Sequence, residues 1–184
     1  DGPDADPDEQ LWRVWRRGGM EDASAQAHTD ALVYGRSFVI VWADKAGNPV
    51  ITVESPRQVA VQRDPATRQV TAAFKRWVAD GKGYAVLFEP DRITRMVSNG
   101  NVVDPAAMPA TSWTTSEVIR NPLGVVPVVP IVNRGRLLDV DGVSEMADVL
   151  DLADALNKLV VDLMVTSEFY ARPRRWATGL EIVE

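Results

Sequence analysis

The stretch NPLGVVPVVPIVNR, residues 121–134, decides the fold, because Pro122, Pro127 and Pro130 stand in it among seven aliphatic residues. Proline donates no amide hydrogen and holds φ at about −65°, so this segment can be neither a helix nor a central strand. We expect an extended, edge-like or polyproline path. Burying one valine or isoleucine is worth roughly 1.5 to 3 kcal/mol, so we expect these side chains to pack across a sheet. We call residues 121–134 the strap.

The chain before the strap reads as short strands. The runs RSFVIVWAD (36–44) and PVITVES (49–55) flank KAGN, which is typical of a hairpin because Gly and Asn tolerate positive φ. Further β-rich runs follow at RQVAVQRD (57–64), RQVTAAFKRWVAD (68–80), GYAVLFEPD (83–91) and RITRMVS (92–98). Short strands separated by turns predict an antiparallel sheet over about residues 36–132.

Two helices are predicted ahead of this sheet, at about residues 7–17 and 21–34. Gly18 and Gly19 stop the first helix, and Gly35 is a suitable C-terminal cap for the second. We expect Trp12 and Trp15 to lie in the core, with a contact to a partner chain as the alternative.

A long helix is predicted after the strap, over residues 143–170, with Ser144 as N-cap and Glu145 in its first turn. Unbroken, it would measure roughly 42 Å. Projected at about 100° per residue, one side carries the charged residues Asp148, Asp151, Asp154, Lys158 and Asp162. The other side carries the aliphatic residues Val149, Leu152, Leu156, Leu159, Val160 and Leu163. Pro173 prevents continuation, and residues 171–184 read as a truncated strand. The predicted fold class is α+β.

Charge and composition exclude several classes of function. The net charge of −6 argues against a general DNA-coating protein, since such binding depends on Lys and Arg. Residues 1–35 hold eight acids and three bases, whereas residues 36–134 hold eight acids and twelve bases. The absence of cysteine excludes disulfides and thiolate chemistry. Neither a signal peptide nor a membrane span is predicted, so we expect a soluble, unsecreted chain.

Catalytic signals are weak. His28 has no partner fixed by the sequence, and Gly81 and Gly83 lack the spacing of a phosphate loop. The DVDG run at 139–142 resembles the start of a calcium loop, but its glycine comes two positions early and Leu150 takes the place of the final glutamate. A metal-dependent hydrolase or nuclease using Asp139, Asp141 and Glu145 is therefore an alternative, while our main expectation is a protein with no enzyme activity, cofactor or metal.

Six segments, in order, resemble the portal proteins of tailed double-stranded-DNA bacteriophages, of the siphophage type found also in actinobacterial prophages. They are ALVYGRSFVIVW, ITVESPRQV, RDPATRQVTAAFKRW, the strap, GVSEMADVLDLADALNKLVVDLM and EFYARPRRWATGL. The similarity spans nearly the whole chain from about Leu11.

The resemblance implies a structural subunit of a ring of about twelve copies at one capsid vertex, through which DNA is packaged and ejected. It implies that residues 1–142 are a wing-like domain, 143–170 a first stem helix and 171–184 the start of a clip. It also implies a fragment without the second stem helix, most of the clip, the tunnel loop and the crown. The strap would then deliver the long helix from the wing at a set angle.

The implied partners are other copies of the chain, the terminase, head-completion or adaptor proteins, scaffold or capsid protein, and double-stranded DNA that passes without tight binding. The implied location is the virion, after assembly in the bacterial cytoplasm. The charged side of the long helix would face the DNA tunnel and its aliphatic side a neighbouring subunit. A generic adaptor domain of another virion protein is the second alternative.

Overall fold

The computed structural model describes residues 7–44, 46–102, 113–171 and 178–179, and these form two compact units. The first unit is Asp1–Ser144 and the second is Glu145–Glu184. Most of residues 171–184, the predicted start of a clip, lies outside the described residues. The division of the chain into wing, stem and clip stays a prediction.

The first unit begins with two helices, α1 (Pro7–Arg17) and α2 (Met20–Tyr34). Both flanking glycines take left-handed backbone angles, Gly19 with φ 62° and the C-cap Gly35 with φ 85°. One face of α2 buries Met20, Ala27 and Ala31 and packs on strands of the following sheet. The small alanines allow this close approach.

The Trp12 and Trp15 pair is not core as predicted. Trp12 is 56% exposed and Trp15 is half-buried, with their rings edge to face at a centroid distance of 6.4 Å. Helix α1 packs on α2 and on a neighbouring strand through a different side, which includes Val14. The prediction that Trp12 lies in the core is therefore wrong.

The strands form two antiparallel sheets. Sheet A has the order β2-β1-β8, and sheet B is a meander of the order β3-β4-β5-β6-β7. The strands are β1 (Arg36–Ala43), β2 (Pro49–Glu54), β3 (Val59–Arg63), β4 (Val70–Ala79), β5 (Lys82–Phe88), β6 (Arg92–Asn101), β7 (Trp113–Arg120) and β8 (Val128–Val132). The sequence patterns predict one sheet and miss β7.

A single apolar core joins the two sheets. Phe38, Ile40 and Val128 of sheet A meet buried residues of sheet B, which are Val59, Ala73, Val86, Phe88 and Ile93. An ion pair of 2.5 Å between Lys75 of β4 and the nearly buried Glu54 of β2 links the same sheets through charge. Sheet A is therefore covered by α2 on one face and by sheet B on the other.

The second unit contains α3 (Ala147–Ala171), which spans 25 residues and about 37 Å. It starts at Ala147, four residues later than predicted. The Ser144 hydroxyl instead donates to the carbonyl of Val33, and Glu145 precedes the first turn, where Asp148 stands. The predicted fold class is confirmed: a helical pair, antiparallel strands and a long final helix in an α+β protein.

Candidate functional site: the strap junction and the long helix

The strap begins at Asn121, which is 4% exposed and acts as a hydrogen-bonding hub. Its side-chain amide donates to the carbonyls of Glu89 and Val125, both at 2.8 Å, and its side-chain oxygen accepts the Leu123 amide at 3.0 Å. These bonds use both amide hydrogens and the oxygen of the buried side chain, so none of its polar atoms lacks a partner. The start of the strap is thereby fixed to the turn that follows β5.

The middle of the strap is the edge strand β8 of sheet A and does not lie across the sheet as expected. Pro130 pairs with Phe38 of β1. Because β8 is an edge strand, the sheet tolerates a residue that has no amide hydrogen. Val128 is 2% exposed, whereas Val129 is 54% exposed, because alternate residues of a strand face opposite sides. Val125 is exposed too, so the expectation that all these aliphatic side chains are buried is wrong.

The strap ends in a network that we call the junction, formed by Gly35, Asn133, Gly142, Val143 and Ser144. The backbone carbonyl of Asn133 accepts the Val143 amide at 3.0 Å, and its backbone amide donates to the Gly35 carbonyl at 2.8 Å. Its side-chain amide donates to the Val143 carbonyl at 2.9 Å. Ser144 bonds the end of α2, as described above. The chain is thus anchored to the first unit up to Ser144.

Gly142 is required at the junction because no side chain fits there. Its φ is +80°, and a Cβ atom would lie 2.1 Å from the Gly35 oxygen and 2.6 Å from the Asn133 oxygen. Both distances are far below van der Waals contact, and both partners are backbone atoms. The sequence shows this glycine but not the close approach, since Gly35 lies more than a hundred residues away.

The two predicted surfaces of the long helix both lie on α3, and none of its 25 described residues is buried. The charged residues occupy one arc of roughly 120°, and the aliphatic residues occupy a second arc of roughly 100° that adjoins it. We call them the acidic arc (Asp148, Asp151, Asp154, Lys158 and Asp162) and the aliphatic arc (Val149, Leu152, Leu156, Leu159, Val160 and Leu163).

Helix α3 carries a third surface that the sequence analysis missed. Leu150, Val161 and Met164 project in the gap between Val160 of the aliphatic arc and Asp154 of the acidic arc, and Val165 projects at the adjoining edge of the acidic arc; all four are exposed. A solvent-facing helix normally has one apolar stripe. Plotting every apolar position, and not only those on the best stripe, would have found this second one.

The candidate metal ligands are not brought together. Asp141 forms an ion pair with Arg36, while the Asp139 carbonyl accepts the amides of Arg136 and Gly142. No cluster of three or more potential ligands occurs within residues 7–44, 46–102 and 113–171. His28 is an exposed residue of α2. The hydrolase alternative therefore gains no support.

Among the helices that the structure describes, none combines the length and apolar character needed to cross a bilayer.

Comparison with known proteins gives consistent matches to one family. Residues 2–183 match the model of the family described as "Phage portal protein, SPP1 Gp6-like". The chain is 30% identical over 195 residues to the portal protein of Mycobacterium phage L5 and 28% identical over 194 residues to that of Mycobacterium phage D29. Each alignment covers 97% of this chain and 37% of the relative, so the chain spans less than half the length of these proteins. The resemblance seen in the sequence is confirmed.

Proposed function

Because the chain belongs to the SPP1 Gp6-like phage portal protein family, we propose that it is part of a portal ring, a structural conduit for double-stranded DNA without catalysis of its own. The observation that carries this proposal is α3, a helix of 25 residues with no buried residue, two apolar surfaces and one acidic arc. We expect apolar neighbours to cover the two apolar surfaces of α3, while its acidic arc can face a polyanion without binding it.

The two apolar surfaces support side-by-side packing of α3 with two neighbours. Leaving a leucine-sized side chain in water forfeits roughly 1.5 to 3 kcal/mol, and α3 exposes ten aliphatic or methionine side chains on these surfaces alone. In a cyclic, heterologous assembly each copy uses different surfaces for its two neighbours. A dimer with twofold symmetry would cover one surface and leave the other exposed.

The acidic arc supports passage of DNA without tight binding. Lys and Arg hold phosphates by displacing counterions and would slow a sliding duplex. Carboxylates repel phosphates within the screening length of about 8 to 10 Å and keep the duplex from adhering. Lys158 is the single base of this arc and could contact phosphates only transiently.

The junction supports a mechanical role for the strap. Asn121 fixes its start, β8 pairs it to β1, and Asn133 fixes its end to Val143, which lies four residues before the first residue of α3. Proline limits the conformations available between these points. The strap is therefore held to both sheets of the first unit, by Asn121 to the turn after β5 and by β8 to β1.

The wider assembly is also part of the proposal. The ring would hold about twelve copies and would occupy one capsid vertex of the virion after assembly in the host cytoplasm. Its partners would be the terminase that drives packaging, head-completion or adaptor proteins, and scaffold or capsid protein. The family match supports these partners as a class, and the acidic arc supports the expected behaviour toward DNA.

The experiment combines electron microscopy of the full-length protein with a packaging assay in phage. We expect closed rings from the unmodified protein. Replacing Asp148, Asp151 and Asp162 together by lysine should leave rings intact and slow or abort DNA packaging, because three new cations on the tunnel side hold phosphates.

The control replaces three exposed acids of the first unit, Glu21, Asp22 and Asp91, by lysine, which changes the net charge equally. This variant should package at the normal rate. Normal packaging by the α3 variant would exclude a tunnel-facing acidic arc, and the absence of rings from the unmodified protein would contradict the portal ring itself.

A further inference from the structure

Two open surfaces of the first unit lie at opposite edges of sheet A. The first, which we call the tryptophan face, is the side of α1 that bears Asp8, Leu11, Trp12 and Trp15. Helix α1 packs on β2, one edge strand, and the ion pair of 2.6 Å between Arg17 and Asp44 ties its end to the turn beside that strand. Leu11 is 69% exposed and Trp12 is 56% exposed, so this side of α1 is an apolar surface open to solvent.

The second surface, which we call the arginine pocket, lies at the other edge, beside β8. It has a volume of about 600 Å³, and its lining includes Arg63, Arg68, Arg136, Val132, Leu137 and Val140. Among the described lining residues the charged ones are all arginines. Leu137 at the pocket is 74% exposed, and the neighbouring Leu138 is 95% exposed.

Two of the arginines lie at or beside the turn between β3 and β4. Arg68 sits in the tight turn between β3 and β4 with φ 59°, and its amide donates to the Asp64 carbonyl at 2.8 Å. The Nε atom of Arg63 is buried, yet no acceptor among the described residues bonds it. Because that atom is already buried, an incoming group cannot reach it, and the arginines open to a partner are Arg68 and Arg136, which are both exposed.

The two surfaces are complementary in chemistry. Guanidinium groups bind carboxylates through paired hydrogen bonds and stack on indole rings, and the tryptophan face offers the Asp8 carboxylate beside two indoles. Leu11 matches the aliphatic part of the pocket. A nucleic-acid backbone would supply the anion but nothing apolar to cover Leu137, so the pocket favours a protein partner.

We infer that the tryptophan face of one copy docks into the arginine pocket of the next copy. Because the surfaces stand at opposite edges of sheet A, the contact is head to tail and repeats from copy to copy. This inference rests on the proposed ring and adds a contact within the first unit to the one proposed for α3. Trp12 covers a pocket arginine, and Asp8 pairs with the guanidinium groups.

The test uses the absence of cysteine from the chain, which makes engineered thiols unique. Chains carrying Leu11→Cys and Leu138→Cys are mixed and treated with a short bismaleimide, with one chain tagged so that mixed dimers are recognised by mass. We expect mixed dimers in high yield. The matched control pairs Leu11→Cys with Val118→Cys, an exposed residue of β7 in sheet B, and should give few.

A charge exchange provides the second measurement. Arg136→Asp and Asp8→Arg should each weaken self-association about tenfold, the usual loss for one partner of a charged contact. The double variant carries both changes in every copy and should restore association in sedimentation velocity. Unchanged thermal unfolding of the single variants verifies that they fold.

The outcomes separate this contact from the proposed ring. Selective mixed dimers with restored association support the contact, and if the full-length protein then forms no rings, the ring alone is overturned. Rings without selective cross-linking, or without restoration by the double variant, overturn the contact and leave the ring standing. Failure of both rings and cross-linking overturns both.

Discussion

At the scale of single residues, the junction depends on a contact between two glycines. Gly35 ends α2 and Gly142 lies in the loop before α3, and a Cβ atom on Gly142 would clash with the backbone oxygen of Gly35. Asn133 completes the contact by bonding the chain on both sides of it. The anchoring of the strap is therefore a backbone feature, with the side chains of Asn133 and Ser144 as its reinforcement.

Replacing Gly142 by alanine should destabilise the first unit by about 3 kcal/mol or more, because a backbone clash is added to a strained φ of +80°. Gly47 is the matched control, since its φ is +82° and nothing lies within 4 Å of its Cβ position. Gly47→Ala should cost about 1 to 2 kcal/mol, the strain alone. Urea unfolding followed by tryptophan fluorescence measures both, and equal losses would show that the glycine contact is unimportant.

At the scale of elements, two hairpin turns are organised by an aspartate carboxylate. Asp44 accepts the amides of Asn48 at 2.9 Å and Ala46 at 2.8 Å in the turn between β1 and β2. Asp64 accepts those of Thr67 at 2.7 Å and Ala66 at 2.8 Å before β4. The Asn48 amide lowers the pKa of Asp44, and the Thr67 amide lowers the pKa of Asp64, each from an ordinary value of 3.8.

These lowered pKa values make both turns sensitive to acid. The folded-state pKa lies below the unfolded value, so the stabilisation is present above 3.8 and is lost as pH falls through the folded value. We expect the free energy of unfolding to fall less between about pH 5 and about pH 2.5 in the double variant Asp44→Asn, Asp64→Asn than in the unmodified chain. Urea unfolding at both pH values measures this, and parallel losses would contradict it.

The same elements show what a sequence can and cannot predict. Helices α1 and α2 and strands β1 to β6 follow from local periodicity and turn residues, and the prolines place β8 at an edge. The local pattern does not show strand β7, because TTSE interrupts its apolar alternation. It does not separate the two sheets either, because strand partners are chosen by distant contacts. Trp12 was misplaced for a similar reason, since a helix pattern shows which face is apolar but not whether another element covers it.

At the scale of the whole molecule, one part of the candidate surfaces could be predicted from the sequence and another part could not. The acidic and aliphatic arcs of α3 could be read from its sequence, whereas the arginine pocket joins residues 63–68 to residues 132–140 and required the fold. The two units differ physically as well. The first has a core that joins two sheets, and the second contains a helix without one buried residue among those described.

This difference predicts a change in hydrogen exchange on assembly. A helix of 25 residues that buries nothing is only marginally stable in water, so α3 amides should exchange in the dilute chain well before those of β5 in the core. In assembled rings, neighbours cover both apolar surfaces and α3 exchange should slow at least about tenfold, while β5 exchange stays unchanged as the internal control. Mass spectrometry of peptides from 147–171 and 82–88 in both states measures this. If α3 were as protected as β5 in the dilute chain, its stability would not depend on neighbours, and the apolar surfaces would lose their assigned part in assembly.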